Sequence, residues 1–425
     1  MDKVALLFPG QGSQFVGMGR ALYNEFAAAR HVYEEAGDVL GKDLCKICFE
    51  GNLTELNKIE NMFPAIVTTG VAAFRAYMEE VGIQPEFAAG HSLGEYTALT
   101  CSGVISFSDA LKLASERAAL ALNNDYTESG TMTVINQLSS FAVEEECKRI
   151  SVPGCIVVPA CYNSPDQTVV AGHHSAVMKL EDRVIEKGAQ ITPMLMSPPF
   201  HSPLMEKAAR ALRERLSACH YNKCKWPVLS NFSGLPYEPE PERIIECLVK
   251  QMMRPVQWQS IMEYLKSHVI TTAIEMGTQA ILANLVKTDI KNCKVISYGQ
   301  GRDRQQLKLD INGSRASKPA ATVLTKCLAA ASATRNRNWD NEKYRLGVEL
   351  PYEKIERMQD ELDIKGDLPT ERQMREALVL LRGIFATKKV PENEQRKWYE
   401  KIINETGTRD IFQEFLQSFE KREYS

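Results

Sequence analysis

The chain has 425 residues, 44% of them hydrophobic and 25% charged, with a formal net charge of −3. That length supports one large domain with a smaller one, or two to three modest domains, and the composition is that of a soluble globular protein with a sizeable core. There is no basic field to attract nucleic acid, and no apolar run nears the roughly 18 residues needed to span a bilayer, so neither nucleic acid nor membrane is expected as a partner.

Eleven cysteines are scattered without framework spacing, which suits reduced thiols and a cytoplasmic location. Cys45 and Cys48 form an isolated CxxC with no second pair or histidine cluster. They read as helix-face cysteines, and no metal or cofactor is expected.

In chain order, Val4–Phe8 is a short apolar run ended at once by Pro9-Gly10. It is too short for a signal-peptide core and suits a buried first strand. The loop Phe8-Pro9-Gly10-Gln11-Gly12-Ser13-Gln14 follows, then a helix over Pro64–Glu80 and a strand over Phe87–Gly90. A helix over Asp109–Leu122 is introduced by Ser106 and Asp109 in a capping-box pattern. From about 127 to 196, strands (Thr131–Ile135, Cys155–Ala160, Thr168–Ala171, Ile191–Met196) alternate with helices (Val143–Ile150, His174–Glu186), the pattern of a small α+β insert. Further strands are expected at Pro227–Ser230, Ala273–Glu275 and Val295–Tyr298. Residues 1 to about 300 therefore read as an α/β domain.

Composition changes beyond residue 300. Residues 301–340 are linker-like, with an Ala-, Ser-, Thr-, Arg- and Asn-rich stretch at Ala320–Asn338, and 341–425 form a helical extension. Two apolar stripes mark its helices: Met374, Leu378, Leu381 and Phe385, then Ile411, Phe412, Phe415, Leu416 and Phe419. Pro351, Pro369 and Pro391 sit near helix starts.

The strongest chemical signal is Gly90-His91-Ser92-Leu93-Gly94, a G-x-S-x-G between a strand and the helical segment Glu95–Cys101. A sharp turn there projects the Ser92 hydroxyl and aims the Leu93 N–H at a reacting carbonyl. A Gly/Ser turn without catalytic meaning has the same five-residue pattern. Serine needs a base, and of seven histidines His201 is the best placed, because prolines on both sides stiffen its loop. The same loop suits a structural histidine. The N-terminal glycine loop meets neither nucleotide fingerprint, since Phe15 fills the third glycine position and no GK[ST] follows. It can instead supply the Gln11 N–H as a second oxyanion donor. Arg117, at the border of an apolar stripe, is either a solvated surface cation or a fork for a substrate carboxylate.

Taken together, the motifs resemble the malonyl-CoA:acyl carrier protein transacylase family, including its free-standing acyltransferases that serve polyketide synthases. FPGQGSQ, GHSLGEY around Ser92, ERAAL with Arg117, Gly130-Thr131-Met132, NSPDQTVVAG, PFHSPLM around His201, SNFSG, RPVQW and EMGTQAIL occur in family order over residues 1 to about 300. The resemblance implies an α/β-hydrolase-like large subdomain with an inserted ferredoxin-like small subdomain, carrying here a C-terminal helical extension. It implies a Ser92–His201 dyad oriented by the main-chain carbonyl of Gln251, an oxyanion hole from Gln11 and Leu93, and Arg117 as the malonyl carboxylate fork. Phe200, before the histidine, is expected to exclude an α-methyl branch. One departure is Phe63-Pro64, where many relatives have Gln-Pro.

The function implied is transfer of malonyl from malonyl-CoA to the phosphopantetheine thiol of an acyl carrier protein, supplying a polyketide synthase. The alternative is an acyl hydrolase that clears carrier proteins. Residues 301–425 read either as a stabilising helical extension or as a docking module for a synthase or carrier.

Overall fold

The computed structural model describes residues 3–123, 130–194, 197–315, 322–338, 340–365 and 367–420. The chain divides into two compact units: Met1–Ala21, Ala36–Val71 and Gln84–Arg304 form the first, and Leu22–Glu35, Ala72–Ile83 and Gln305–Ser425 the second.

The first unit contains two sheets. Strands β1 (Val4–Phe8), β2 (Phe87–Gly90), β7 (Val228–Leu229), β8 (Thr272–Glu275) and β9 (Lys294–Ser297) form a parallel sheet in the order β7-β2-β1-β8-β9. All five residues of β1 are buried, as expected of a central parallel strand covered on both faces, which is why this segment is uniformly apolar rather than alternating. The register pairs Phe8 with Gly90. The ends of the two strands that carry the glycine loop and the Ser92 turn therefore lie side by side.

The insert is a four-stranded antiparallel sheet of β3 (Gly130–Asn136), β4 (Val157–Ser164), β5 (Gln167–His173) and β6 (Gln190–Met194), ordered β4-β5-β3-β6. With helices Ser140–Ile150 and His174–Glu186 between strands, the connectivity is βαββαβ, the expected ferredoxin-like arrangement. Ile135, Val157 and Val170 of the sheet pack with Val143, Cys147, Val177, Leu180 and Val184 of the two helices. The expected strand end at Leu195–Met196 lies outside the described residues.

Two expectations shift. The helix expected from Pro64 starts a turn earlier and runs Ile59–Glu80 with Pro64 inside it. Its first turn is set by the Met62 N–H donating to the Lys58 carbonyl, and Pro64 removes only the helical donor to the Glu60 carbonyl, which accepts from Lys42 Nζ at 3.4 Å. Helix Phe107–Leu122 likewise begins before Asp109, capped by Ser106, whose Oγ accepts from the Asp109 N–H at 3.0 Å.

The second unit is helical. Its core joins Leu378, Leu381, Phe385, Tyr399 and Phe412 to Val323, Leu324 and Cys327. The last three belong to helix Val323–Ala333, so the stretch whose composition suggested a linker contains a core helix. Small residues gave it the look of a spacer, yet they are what allow helices to approach closely. Its C-terminal carbonyls, Ala331 and Thr334, accept from the buried Lys388 ammonium at 2.6 and 3.0 Å. Ion pairs Arg335–Glu34 (2.9 Å) and Arg75–Glu35 (2.8 Å) tie the helices of this unit together. In the last stripe Phe412 and Phe415 are buried, Leu416 is half-buried and Ile411 is exposed. The backbone of the final helix, Arg409–Glu420, departs from helical geometry at Phe412. The Phe419 side chain lies outside the described residues.

Among the described residues no helix is long and apolar enough to cross a membrane.

Candidate active site

The site begins where β2 ends. Between Gly90 and helix Gly94–Cys101 the chain reverses through Ser92, whose φ of 51° is left-handed, a conformation that costs a non-glycine residue about 1–3 kcal/mol. The surroundings hold it there. The Ser92 N–H donates to Asn231 Oδ1 at 2.6 Å, while Asn231 Nδ2 donates to the Gly90 carbonyl at 2.6 Å. A Cβ on Gly90 would stand 1.9 Å from the Gly94 carbonyl oxygen, so the turn excludes every side chain at that position. One on Gly10 would meet the His91 carbonyl oxygen at 2.4 Å and the Leu93 nitrogen at 3.5 Å. The N-terminal glycine loop thus lies directly against the turn. Among the described residues neither the Gln11 nor the Leu93 backbone N–H has an acceptor, whereas the Gln11 side chain donates to Ser197 Oγ at 3.4 Å.

His201 approaches from the other side, in the proline-rich loop after β6. It too has a left-handed backbone, with φ of 61°, held by its N–H donating to the Met252 carbonyl at 2.8 Å. Its Nε2 lies 2.7 Å from Ser92 Oγ, and its Nδ1 lies 2.6 Å from the Gln251 carbonyl oxygen. A carbonyl oxygen only accepts, so Nδ1 carries the proton and Nε2 presents its lone pair to the serine hydroxyl. Burial, reinforced by the Arg117 charge, pushes the imidazole down to about 3. It is therefore neutral and able to accept a proton throughout the physiological range.

Gln251 is a junction. While its main-chain carbonyl holds His201, its Nε2 donates to the Ser92 carbonyl at 2.9 Å and to Glu95 Oε2 at 2.7 Å. Its Oε1 accepts from Arg117 Nη2 at 3.3 Å. Glu95 also accepts from the Asn231 N–H at 2.8 Å and the Tyr237 hydroxyl at 2.6 Å. Burial raises this carboxyl to about 7 despite those donors. His91, within the same turn, has Nε2 2.7 Å from Asn163 Oδ1 and packs against Trp258.

Arg117 is buried, with 1% of its surface exposed, not solvated. Its Nη2 donates to Ser92 Oγ at 3.3 Å. Three aromatic rings surround the guanidinium: Phe200 at 4.7 Å from Cζ, Phe63 at 5.4 Å and Tyr96 at 5.8 Å. Among the described residues its Nε has no hydrogen-bond partner and no carboxylate lies within ion-pair distance. A buried guanidinium so poorly paired is a strong electrostatic demand for an anion.

The structure thus brings Ser92, His201, Gln251, Arg117 and Phe200 together, with the Gln11 loop against the Ser92 turn. Reading the residues alone did not single out Glu95, Asn231, Tyr237 or Tyr96. Glu95 and Tyr96 stand inside GHSLGEY and Asn231 inside SNFSG, which was their only signal.

A hydroxyl on a strand-to-helix turn, with an imidazole in contact and unpaired amides adjacent, is built for chemistry on an acyl carbonyl. The model of the acyl transferase domain matches residues 5–310. A malonyl CoA-acyl carrier protein transacylase of Bacillus subtilis is 35% identical over 399 residues, covering 93% of this chain and 99% of that protein. Its namesake of Escherichia coli (strain K12) is 35% identical over 288 residues, covering 68% of this chain and 93% of its own. The solved transacylase from Coxiella burnetii superposes with a TM-score of 0.70 at 31% identity over 72% of this chain and 97% of that one. A malonyl-transacylase in complex with its type II PKS acyl-carrier protein gives 0.70 at 33% over 72% and 99%. The chain belongs to the malonyl CoA-acyl carrier protein transacylase family and is an acyltransferase. An alignment of 399 residues extends well past residue 310, so the C-terminal helices have a counterpart in that B. subtilis relative.

Proposed function

We propose that this chain moves malonyl from malonyl-CoA to the phosphopantetheine thiol of an acyl carrier protein, through an ester on Ser92. One observation carries the reading: Ser92 Oγ has the His201 imidazole at 2.7 Å and the Arg117 guanidinium at 3.3 Å. Nucleophile, base and carboxylate receptor meet at one atom.

The neutral His201 takes the Ser92 proton as Oγ attacks the thioester carbonyl. The imidazolium that forms is held through Nδ1 by the Gln251 carbonyl. Negative charge developing on the carbonyl oxygen falls to the Gln11 and Leu93 amides, donors of a kind worth about 10²–10³ in rate each. When the carbon–sulfur bond breaks, the imidazolium protonates the departing coenzyme A thiolate. The carrier thiol then gives its proton to His201 and attacks the malonyl ester, and the proton returns to Ser92 as the product thioester leaves. Arg117 receives the free carboxylate, a charge-assisted contact contributing about 1.5–3 kcal/mol, while the Phe200 ring crowds any α-methyl branch.

The finer reading assigns the acceptor carrier to a polyketide synthase. It draws support from the similarity to a transacylase whose title names a type II PKS carrier. The competing activity is hydrolysis of the acyl-enzyme, and a rapid-mixing assay separates the two. Malonyl-enzyme formed from malonyl-CoA is expected to persist in buffer and to discharge when phosphopantetheinylated carrier is added, faster onto a polyketide-synthase carrier than onto a fatty-acid one. Discharge at one rate with and without carrier would mean hydrolysis, and equal rates for the two carriers would remove the polyketide assignment.

A further inference from the structure

Phe63 stands beside the Arg117 guanidinium, its ring centroid 5.4 Å from Cζ. Phe63 is buried at 1% exposure, one residue before the proline inside its helix. Its ring packs against Phe200 with centroids 5.7 Å apart, so the two rings form one continuous surface beside the Arg117 guanidinium. A phenyl ring offers the cation a polarisable face but no acceptor atom. Arg117 has an unpartnered Nε and two contacts from Nη2 that are long for charge-assisted hydrogen bonds, at 3.3 Å each.

We propose that Phe63 is a specificity-determining residue, which rests on the malonyl-transfer reading. By withholding an acceptor and excluding water, its ring keeps Arg117 in want of a carboxylate, so malonyl is favoured over uncharged acyl groups more steeply than Arg117 alone would achieve. A side chain bearing a carbonyl at position 63 would satisfy the guanidinium before substrate arrives. The contact with malonyl would then displace an existing hydrogen bond rather than fill an empty one. An uncharged acyl group would meanwhile be relieved of leaving the cation bare.

The test compares kcat/KM for acyl-enzyme formation from malonyl-CoA and acetyl-CoA in the wild type, Phe63→Gln and Phe63→Leu, with circular dichroism to verify folding. Phe63→Gln is expected to cut the malonyl-to-acetyl ratio about tenfold, through both a fall for malonyl and a rise for acetyl. Phe63→Leu, which adds no acceptor, is expected to cut it by less. If Gln fails to fold, the Leu variant still decides: a ratio equal to that of the wild type overturns the proposal. So does loss of both activities by one factor in either variant, the mark of a purely structural ring. Wild-type enzyme that takes no malonyl at all would instead refute the functional reading, so the two failures are distinct.

Discussion

Two sides of one site are built on opposite principles. On the nucleophile side, hydrogen bonds brace the Ser92 turn and leave the Leu93 N–H for the substrate: Asn231 bridges the Gly90 carbonyl and the Ser92 N–H, and Glu95 draws in Asn231, Tyr237 and Gln251. On the guanidinium side, Arg117 sits among Phe63, Tyr96 and Phe200 with its Nε unpaired. Dense hydrogen bonding fixes geometry, which is what a strained serine and a strained histidine require. Unsaturated burial stores a preference, which is what discrimination between a charged and an uncharged acyl group requires. Positioning and selectivity are thus separate properties of neighbouring side chains, joined through Gln251 and through the Arg117 contact with Ser92 Oγ.

The predictions are ways to break that separation. The largest effect belongs to Ser92→Ala, expected to reduce acyl-enzyme formation by at least about 10⁴-fold for every acyl-CoA, read by intact mass after quenching. Residual labelling at the wild-type rate would place the acyl group elsewhere. Next is Glu95→Gln, which sets an amide donor against the Gln251 amide. It is expected to lower kcat about tenfold while leaving the malonyl-to-acetyl ratio within about twofold, since Glu95 acts on position rather than on the substrate carboxylate. A changed ratio would show that the two sides are not independent.

The smallest effects concern pH. In Glu95→Gln, where the carboxyl raised to about 7 is gone, kcat/KM for malonyl-CoA is expected to be flat from pH 5 to 8 because His201 is pushed down to about 3, and an acid limb near 6.5 would contradict a neutral, buried base. Stability should carry the same signature. Between about 6.5 and about 3 the unfolded chain binds a proton at His201 that the folded chain does not, so acidification destabilises the fold through this residue. Glu95, raised to about 7 from 4.5, acts with the opposite slope, because the folded chain keeps a proton that the unfolded chain releases across that window. Thermal unfolding of His201→Gln, followed from pH 7 to 4, is therefore expected to show less acid destabilisation than the wild type.

What the sequence made legible follows from distance along the chain. A strand, a glycine turn and a helix between Phe87 and Cys101 identify Ser92, and flanking prolines identify the His201 loop, because each is a local constraint. The partners that make those residues work come from far away: His201 is 109 residues from Ser92, and Gln251 reaches the Ser92 carbonyl across 159. Residue spacing alone could not choose between a solvated and a buried Arg117, since a helix-border position suits both until the rings of Phe63 and Phe200 are in place. The alternating insert was readable as strands and helices from periodicity, with its ends displaced by a few residues. Helix Val323–Ala333 was hidden by its own composition: alanine, serine and threonine are the residues of spacers as well as of close helix contacts, and only packing against Leu378 and Phe385 distinguishes the two. Ile411 shows the reverse error, an apolar residue that the fold leaves exposed at the edge of a buried stripe.

The central claim is that the buried cation at position 117 is completed by the substrate's own carboxylate. The most direct measurement is kcat/KM of Arg117→Ala for malonyl-CoA and acetyl-CoA, side by side. Malonyl transfer is expected to fall by about tenfold to a hundredfold while acetyl transfer is kept or improved, so that the preference collapses. An equal loss for both would make Arg117 a structural residue and contradict the account.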